Sequence, residues 1–367
     1  MANDQITSKC PNCGSHLEYD TETRKLKCVS CSSLFEIESL GRGDLDEEEQ
    51  DYFAMVNELR QTKLKKEMVS SLNCKNCGAH LRHDQNTTST VCPFCGSSHV
   101  IETNNEEEVI PIAGIVPFKL DINECNQKFH KWIKGKFFAP SAFKRAKFAL
   151  DLYPIYLPYW TFDMECFTDY RAERGDYYYV TVEKRDINGE VKKERERRTR
   201  WSFRSGDCRN SFDDIMILGS TNQNNYYYIN RVSKFDFTSM EKFNPQFLVG
   251  YQGEKISLPL EEGFNKAKQS VQWRIRNSIE FDVGGDEVRI LHMHTVYEDV
   301  TFKQVLVPIY NGLYSYNGHQ YRFVMNGQTG QFSGGAPTSA AKVVALVLSI
   351  IAIAAAIMFI FVFLFLR

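Results

Sequence analysis

The stretch that decides the fold is Cys10-Pro-Asn-Cys-Gly-Ser-His-Leu17, which returns 64 residues later as Cys74-Lys-Asn-Cys-Gly-Ala-His-Leu81. In each copy a second Cys-x-x-Cys pair follows after fourteen residues, first at Cys28/Cys31 and then at Cys92/Cys95. The chain therefore contains one small module twice. Two Cys-x-x-Cys pairs at this spacing are typical of four-thiolate metal ribbons.

The four cysteines of each module predict one closed tetrahedral site. Each Cys-x-x-Cys turn can place two sulfurs on one ion, and two such turns fill all four positions of zinc. A closed site performs no Lewis-acid chemistry, so the ion stabilises a piece that is too small to form its own core. We therefore expect two structural zinc ions, one held by Cys10, Cys13, Cys28 and Cys31 and the other by Cys74, Cys77, Cys92 and Cys95.

Disulfides or redox thiols are the alternative explanation for these cysteines. The first ten residues, MANDQITSKC, are polar and lack the apolar segment of a signal peptide, which favours a reducing compartment. A redox Cys-x-x-Cys motif would not be expected as two matched sets of two. Iron of the rubredoxin kind stays open, because four thiolates also suit iron.

The C-terminal segment predicts a membrane anchor. Residues 343–366 carry no charge, and Ser349 is the one polar side chain among them. A helix of this length spans roughly 36 Å, enough for a hydrocarbon core of about 30 Å with some tilt. Only Arg367 follows, so we expect a single-pass tail anchor in the cell (inner) membrane. The cysteine-rich remainder should then face the reducing cytoplasm.

Length and charge limit the class of protein. The 367 residues leave room for one sizeable domain between the ribbons and the anchor, and the net charge of −2 provides no global basic field for nucleic acid. The aromatic share of 13% favours a well-packed core that contains strands. The predicted order is zinc ribbon 1 (8–38), a helical spacer (44–71), zinc ribbon 2 (72–102), an α+β body (110–337) and the transmembrane tail anchor (343–366).

Local signals place antiparallel strands in the body. The pairs Asn188-Gly189, Asn317-Gly318 and Asn326-Gly327 each favour a two-residue hairpin turn. Successive hairpins produce an antiparallel sheet. The predicted fold class is therefore α+β rather than a doubly wound parallel sheet.

Helices are predicted from their first turns. Asp44 and Glu47 form a capping pattern at the start of the spacer, and residues 103–109 form a polar linker after ribbon 2. Asp121 caps a helix in the body, and Pro259 begins another. The apolar stripe of this last helix is Leu260, Phe264, Ala267, Val271 and Ile275.

Several phrases in a fixed order resemble a known family. Besides the two ribbons they are Val116-Pro-Phe, Trp132, Leu157-Pro-Tyr-Trp160, Phe212-Asp-Asp, Phe247-Leu-Val-Gly-Tyr251 and Asn326-Gly-Gln-Thr-Gly330. Nearly the whole chain resembles the bacterial membrane-anchored TFIIB-type double zinc-ribbon proteins, some of which are encoded beside phage-shock protein A and SPFH (virion-core-like) proteins. The resemblance implies a membrane partner in an envelope-stress system that recruits a soluble SPFH-type or phage-shock-type protein. It implies no catalytic residues.

The sequence contains no recognisable catalytic motif. The phosphate loop and the H-E-x-x-H, G-x-S-x-G and G-x-G-x-x-G patterns are all missing. His292 and His294 fall on one strand face as a candidate metal pair, but no third ligand accompanies them in the sequence. We therefore predict no catalytic residues and a protein that is not an enzyme.

A basic hairpin, residues 184–204, is the other candidate site. It carries nine Lys or Arg against four Asp or Glu. A solvated hairpin is the simpler interpretation, because Glu194 and Glu196 lie among the cations. The functional interpretation is contact with an anionic surface, either lipid or nucleic acid. The candidate contacts are Lys192, Lys193, Arg195, Arg197, Arg198 and Arg200.

These features favour a non-enzymatic adaptor that binds and recruits protein partners at the cytoplasmic face of the membrane, in envelope stress. The competing hypothesis is a membrane-held, nucleic-acid-binding regulator that uses the ribbons and the basic hairpin. An enzyme housed in the body is the third hypothesis.

Overall fold

The computed structural model describes residues 9–37, 49–61, 66–82, 91–146, 148, 150–185, 191–221 and 226–365. Its architecture is mixed α+β with antiparallel sheets, which confirms the predicted fold class. Each ribbon contains a three-stranded sheet, and the body contains a nine-stranded sheet.

Fifteen strands and six α-helices follow one another along the described residues. From ribbon 1 to ribbon 2 they are β1 (Leu17–Asp20), β2 (Lys25–Cys28), β3 (Leu34–Phe35), β4 (Gln50–Asp51), α1 (Tyr52–Arg60), β5 (Lys66–Cys74), β6 (His80–Arg82) and β7 (Val100–Glu108). The rest are β8 (Ile112–Ile115), α2 (Ile122–Gly135), α3 (Ser141–Arg145), β9 (Asp151–Arg185), β10 (Val191–Leu218), α4 (Tyr226–Arg231), β11 (Glu241–Lys242), β12 (Gln252–Gly253), α5 (Leu260–Val283), β13 (Glu287–Tyr316), β14 (His319–Asn326), β15 (Phe332–Gly334) and α6 (Ala340–Phe365).

Three very long strands form the centre of the body. β9, β10 and β13 contain 35, 28 and 30 residues and pair antiparallel in the order β10-β9-β13. At about 3.3 Å per residue, β9 extends roughly 110 Å along its path. Its pairing with β10 continues to Arg185 and Val191, whereas its pairing with β13 stops at Gly175. The basic hairpin is therefore the two-stranded outer end of the sheet. Its predicted Asn188-Gly189 turn lies outside the described residues.

Helix α5 covers one face of these strands. The five residues of the predicted apolar stripe are all buried, as are Ile279 and Val283 further along the same face. They pack against Trp160, Phe162 and other inward residues of the sheet. The indole Nε1 of Trp160 also donates a hydrogen bond to the Leu258 carbonyl oxygen at 3.0 Å, just before the helix begins. The sequence pattern at this helix is confirmed.

The capping box of α2 and one predicted hairpin turn are confirmed, and a second predicted turn is not. The Asp121 side chain accepts a hydrogen bond from Glu124 N while the Glu124 side chain accepts one from Asp121 N, which is a complete capping box for α2. Asn317 and Gly318 adopt left-handed φ values of 50° and 76° between β13 and β14. At Asn326, by contrast, the chain makes a longer loop, because the side-chain amide donates to the Val232 and Lys234 carbonyl oxygens instead of sitting in a hairpin turn.

The predicted helical spacer is shorter than expected. α1 begins at Tyr52 and its N-cap is Asp51, whose side chain accepts from Ala54 N at 2.6 Å, while the predicted cap at Asp44 lies outside the described residues. Residues 66–71 are not helical but belong to β5, and the predicted linker 103–109 lies mostly in β7. These two strands pair from Lys66 and Glu108 to Cys74 and Val100. Both predictions were wrong because inter-strand hydrogen bonds override weak local preferences in polar sequence.

Candidate metal centres and membrane segment

The four cysteines of ribbon 1 converge on one point. The Sγ atoms of Cys10 and Cys31 lie 3.6 Å apart, those of Cys13 and Cys28 lie 3.4 Å apart, and those of Cys13 and Cys31 lie 3.5 Å apart. All four sulfurs fall within 4.8 Å of one another. The predicted ligand set of ribbon 1 is therefore brought together.

Ribbon 2 gathers its cysteines in the same way. The sulfurs of Cys74 and Cys95 are 3.6 Å apart, and those of Cys77 and Cys92 are also 3.6 Å apart. The four again lie within 4.8 Å of one another. In both ribbons the first cysteine of each pair is buried, whereas the second is exposed in ribbon 1 and half-buried in ribbon 2.

The sulfur spacing fits a tetrahedral ion and not a disulfide. Four sulfurs about 2.3 Å from a central metal form a tetrahedron with edges of about 3.8 Å, close to the distances in both groups. A disulfide would require about 2.05 Å between sulfurs. Because each group supplies four sulfurs, a bound tetrahedral ion would have no open position. The two groups can each hold one metal ion of this kind.

The backbone of each Cys-x-x-Cys turn explains the glycines beside it. The amide of Gly14 donates to the Cys10 carbonyl oxygen at 2.8 Å, and Gly78 and Gly96 repeat the contact with Cys74 and Cys92. The three glycines adopt φ values of 71–74°, a left-handed conformation that favours glycine. The fourth turn uses Ser32 at φ 58° instead.

Hydrogen bonds within each group make its thiols unequal in acidity. Hydrogen bonds from the Ser33 hydroxyl and then the Ser33 amide lower the pKa of Cys31 to about 6. In ribbon 2 the hydrogen bond with Cys92 lowers the pKa of Cys77 to about 5, although burial opposes this. Hydrogen bonds with neighbouring sulfurs raise the pKa of Cys13 and of Cys92, so each group contains both more acidic and less acidic thiols.

Ribbon 1 is packed onto the body by its hairpin. The amide of Tyr19 donates to the Val249 carbonyl oxygen at 3.1 Å, and the Tyr19 ring lies 5.6 Å from that of Phe247. Leu17 and Leu26 share a buried cluster with β9 and β13 residues. The two turns that carry Cys13 and Cys31 face solvent.

Ribbon 2 is embedded more deeply. Leu81 and Phe94 are fully buried among residues of β9 and β13. The Asn311 side chain donates to the Pro93 carbonyl oxygen, and Lys255 N donates to the His80 carbonyl oxygen at 2.9 Å. The body therefore contacts ribbon 2 through both apolar packing and hydrogen bonds.

The six cations predicted to contact an anionic surface all lie on β10. Because side chains alternate along a strand, Lys193, Arg195 and Arg197 fall on one face and the other three on the opposite face. On the first face Arg197 stacks on Tyr177 at 4.2 Å and Arg195 on Tyr179 at 5.2 Å. On the second face acidic partners intervene, since Arg198 lies 3.5 Å from Glu196. The cations of the second face are Lys192, Arg198 and Arg200.

The structure also contains a buried charged cluster that the sequence analysis did not predict. Lys303 Nζ lies 2.7 Å from Glu49 Oε1 and 3.4 Å from Asp214 Oδ1. Burial raises the pKa of neighbouring Asp163 to about 7. The four residues are far apart in sequence, so no spacing could have revealed them. We interpret the cluster as an ion-pair network that fixes residue 49 to the sheet.

His292 and His294 lie on β13, but no third ligand atom joins them in the described part of the chain.

Helix α6 is long and apolar enough to cross a membrane. Its span Ala340–Val362 has a mean hydropathy of 3.1, and none of the most apolar window is buried against the rest of the described chain. Its 26 residues extend roughly 39 Å. This fits a membrane anchor.

Comparison with known proteins identifies a similar protein but assigns no activity to the chain. The uncharacterized protein YdjG of Bacillus subtilis (strain 168) is 29% identical over 356 residues, covering 93% of this chain and 92% of YdjG. No family model matches the chain, and no solved structure matches it significantly. The similarity extends over nearly the full length of both proteins rather than over one motif.

Proposed function

We propose that the chain is a single-pass protein of the cell (inner) membrane, anchored by α6, with residues 1–342 in the cytoplasm. The exposed apolar surface of α6 supports the anchor. The thiol-rich ribbons support the orientation, because a reducing compartment keeps cysteines available as metal ligands. Deleting residues 343–367 should release the protein from membranes, and persistence in the pellet after a high-salt wash would contradict the anchor.

The metal proposed for both sites is zinc. All eight donors are cysteine sulfurs in closed sets of four, the donor set of structural zinc sites. Bound zinc would contribute folding energy and would have no open position for a substrate. The residues that would hold it are the eight cysteines described above.

The function that this arrangement favours is a non-enzymatic adaptor that recruits a protein to the membrane. The observation that carries the proposal is that ribbon 1 exposes the outer turns of a closed site, together with Val29 (54% exposed) and Leu34 (45% exposed). Apolar side chains on a rigid, metal-fixed surface suit protein binding better than catalysis. The resemblance described above makes an SPFH-type or phage-shock-type protein the first partner to examine, in an envelope-stress setting.

Partner localisation in cells tests the adaptor proposal. Val29→Asp with Leu34→Asp should leave the chain in the membrane and disperse the soluble partner into the cytoplasm. Ile101→Asp is the matched control, because Ile101 is an equally exposed (47%) residue of ribbon 2. If the partner stays at the membrane in the double variant, the docking surface is on the body and not on ribbon 1. ATP turnover by the purified protein, abolished by changes in its own residues, would contradict the non-enzymatic proposal.

A nucleic-acid-binding regulator is the second candidate function. It is supported by the face of the basic hairpin on which Arg195 and Arg197 stack on tyrosines, since such groups can contact phosphates and bases. Duplex DNA binding that weakens steeply with salt, and that is lost in Arg195→Gln with Arg197→Gln, would favour this candidate over the adaptor.

A further inference from the structure

A cationic segment without acidic residues lies at the base of α6. Residues 125–146, here called the platform, comprise most of α2, all of α3 and the turn between them. The platform contains six Lys or Arg and no Asp or Glu. The basic hairpin is less one-sided, with four acidic residues among its nine cations.

Hydrogen bonds fix the platform against the start of α6. Ser339 N donates to the Phe138 carbonyl oxygen at 2.8 Å. Lys342 Nζ donates to the Ala139 carbonyl oxygen at 2.7 Å and to that of Phe137 at 3.3 Å. The uncharged part of α6 begins one residue later, so the turn between α2 and α3 lies within about one helical turn of the hydrocarbon boundary.

Two adjacent aromatic residues at this turn face outward. Phe137 is 69% exposed and Phe138 is 37% exposed. Trp132 is half-buried beside them, and Lys136 Nζ lies 4.5 Å from the centre of its ring. Outward phenylalanines are unfavourable in water but favourable where they enter the boundary between headgroups and acyl chains.

The platform's cations are available on the outer side. α2 buries Cys125, Phe129 and Ile133 against the body, which leaves Lys131 and Lys134 exposed. Arg145 of α3 is also exposed. Within the described residues no ion pair joins any of these three cations to a carboxylate. Among the described residues, these three cations therefore have no carboxylate partner.

We infer that the platform binds the headgroups of anionic phospholipids around α6, with Phe137 and Phe138 inserted at the acyl boundary. Three features coincide there: exposed cations, outward aromatics and a fixed position at the foot of a membrane helix. Each cation in the headgroup layer of an anionic bilayer strengthens attraction roughly five-fold. The basic hairpin lies at the opposite end of β9, roughly 110 Å along the strand from the platform. The inference rests on the proposed anchor and is independent of the adaptor role.

Spin-labelled lipids measure this selectivity on the full chain. The protein is reconstituted in phosphatidylcholine vesicles, and the immobilised fraction of labelled phosphatidylglycerol is compared with that of labelled phosphatidylcholine. The wild type should prefer phosphatidylglycerol by about five-fold or more. Lys131→Gln, Lys134→Gln and Arg145→Gln together should reduce the preference several-fold, with the other three cations of the platform still present. The matched control neutralises Lys192, Lys193 and Arg195 of the basic hairpin and should keep the preference.

The outcomes separate the platform from the anchor. Flotation of each variant with vesicles in alkaline carbonate is recorded first, and circular dichroism verifies the fold. Flotation without selectivity in the wild type, or selectivity unchanged in the triple platform variant, would overturn the platform and leave the anchor intact. Loss of selectivity in the hairpin control alone would show that the basic hairpin binds the headgroups. This result would also overturn the inference about the platform. Failure of the wild type to float would overturn both the anchor and the platform.

Discussion

Ribbon 1 and ribbon 2 have the same cysteine spacing, but the body covers them to different depths. Cys13 and Cys31 of ribbon 1 face solvent, whereas the equivalent Cys77 and Cys95 of ribbon 2 are half-buried. Phe94, within a Cys-x-x-Cys turn of ribbon 2, is part of the core, while the corresponding Ser30 of ribbon 1 is exposed. The same four-cysteine module therefore has two different structural roles. Ribbon 2 is part of the folded body, and ribbon 1 presents a surface.

Removing the metal ligands should produce the largest difference in stability between variants of the two ribbons. Cys77→Ser with Cys95→Ser should abolish stable folding of the body, because structural zinc contributes on the order of 10 kcal/mol and the unfolded ribbon would uncover Leu81 and Phe94. Cys13→Ser with Cys31→Ser should leave a protease-resistant body that contains one zinc. Limited proteolysis with elemental analysis compares them. Equal loss of the body in both variants would refute the difference in depth.

The same difference should appear on a smaller scale at equivalent core leucines. Leu17 and Leu81 occupy the same position of the repeat and are both buried. Leu81→Ala should destabilise the protein by about 3–5 kcal/mol, because rigid neighbours on several sides cannot collapse into the cavity. Leu17→Ala should cost about 2–3 kcal/mol, near the lower end of the range. Thermal unfolding in detergent measures both, and a larger loss at Leu17 would contradict the comparison.

A buried carboxyl under ribbon 2 predicts a pH dependence. Glu254 accepts a hydrogen bond from Ser220 Oγ at 2.7 Å and forms a backbone bridge with Leu81. Burial raises its pKa to about 8 from an ordinary value of 4.5. The folded protein therefore keeps this proton while the unfolded chain releases it, so stability falls as pH rises from 4.5 to 8.

Glu254→Gln should remove this dependence. At pH 8 the variant should be more stable than the wild type by on the order of 4 kcal/mol, and at pH 4.5 the two should be similar. Denaturant unfolding at both pH values gives the difference. Ser220→Ala serves as a control, since it removes the hydrogen bond without removing the titrating group. An unchanged pH profile in Glu254→Gln would exclude this carboxyl as the cause.

The smallest expected effect concerns the one Cys-x-x-Cys turn without glycine. Ser32 has a left-handed φ of 58°, so Ser32→Gly should stabilise ribbon 1 by about 0.5–1 kcal/mol. The reciprocal Gly96→Ser should destabilise ribbon 2, because a Cβ there would also lie 3.1 Å from Leu313 Cδ1. Resistance to a zinc chelator measures both changes. Slower metal loss from Gly96→Ser would contradict the expectation.

Strong local signals allowed much of this molecule to be predicted from its sequence. The ligand sets follow from cysteine spacing, α2 from its capping box, α5 from its apolar stripe, and α6 from an unbroken apolar run. Each of these signals lies within one short continuous stretch of the sequence. Both sets of candidate metal ligands were therefore predicted from the sequence.

Features that depend on distant partners were missed. The sequence analysis predicted a hairpin turn at Asn188-Gly189 but not the length of the strands that it joins, because a strand with one exposed face has an alternating pattern that weakens over 35 residues. The packing of Tyr19 on Phe247, and of Phe94 under β9, joins residues that share no local pattern. The platform was overlooked because its importance depends on the contact between Phe138 and Ser339, and not on its charge alone.

Zinc content followed during chelation is the most direct measurement of the difference between the ribbons. Freshly purified, reduced full-length protein should contain two zinc ions per chain. A chelator should release them in two phases, with the fast phase from ribbon 1, whose outer sulfurs are exposed. Cys13→Ser with Cys31→Ser should then contain one zinc and show the slow phase alone. A content of one zinc or none in the wild type, or a fast phase that persists in this variant, would contradict the account.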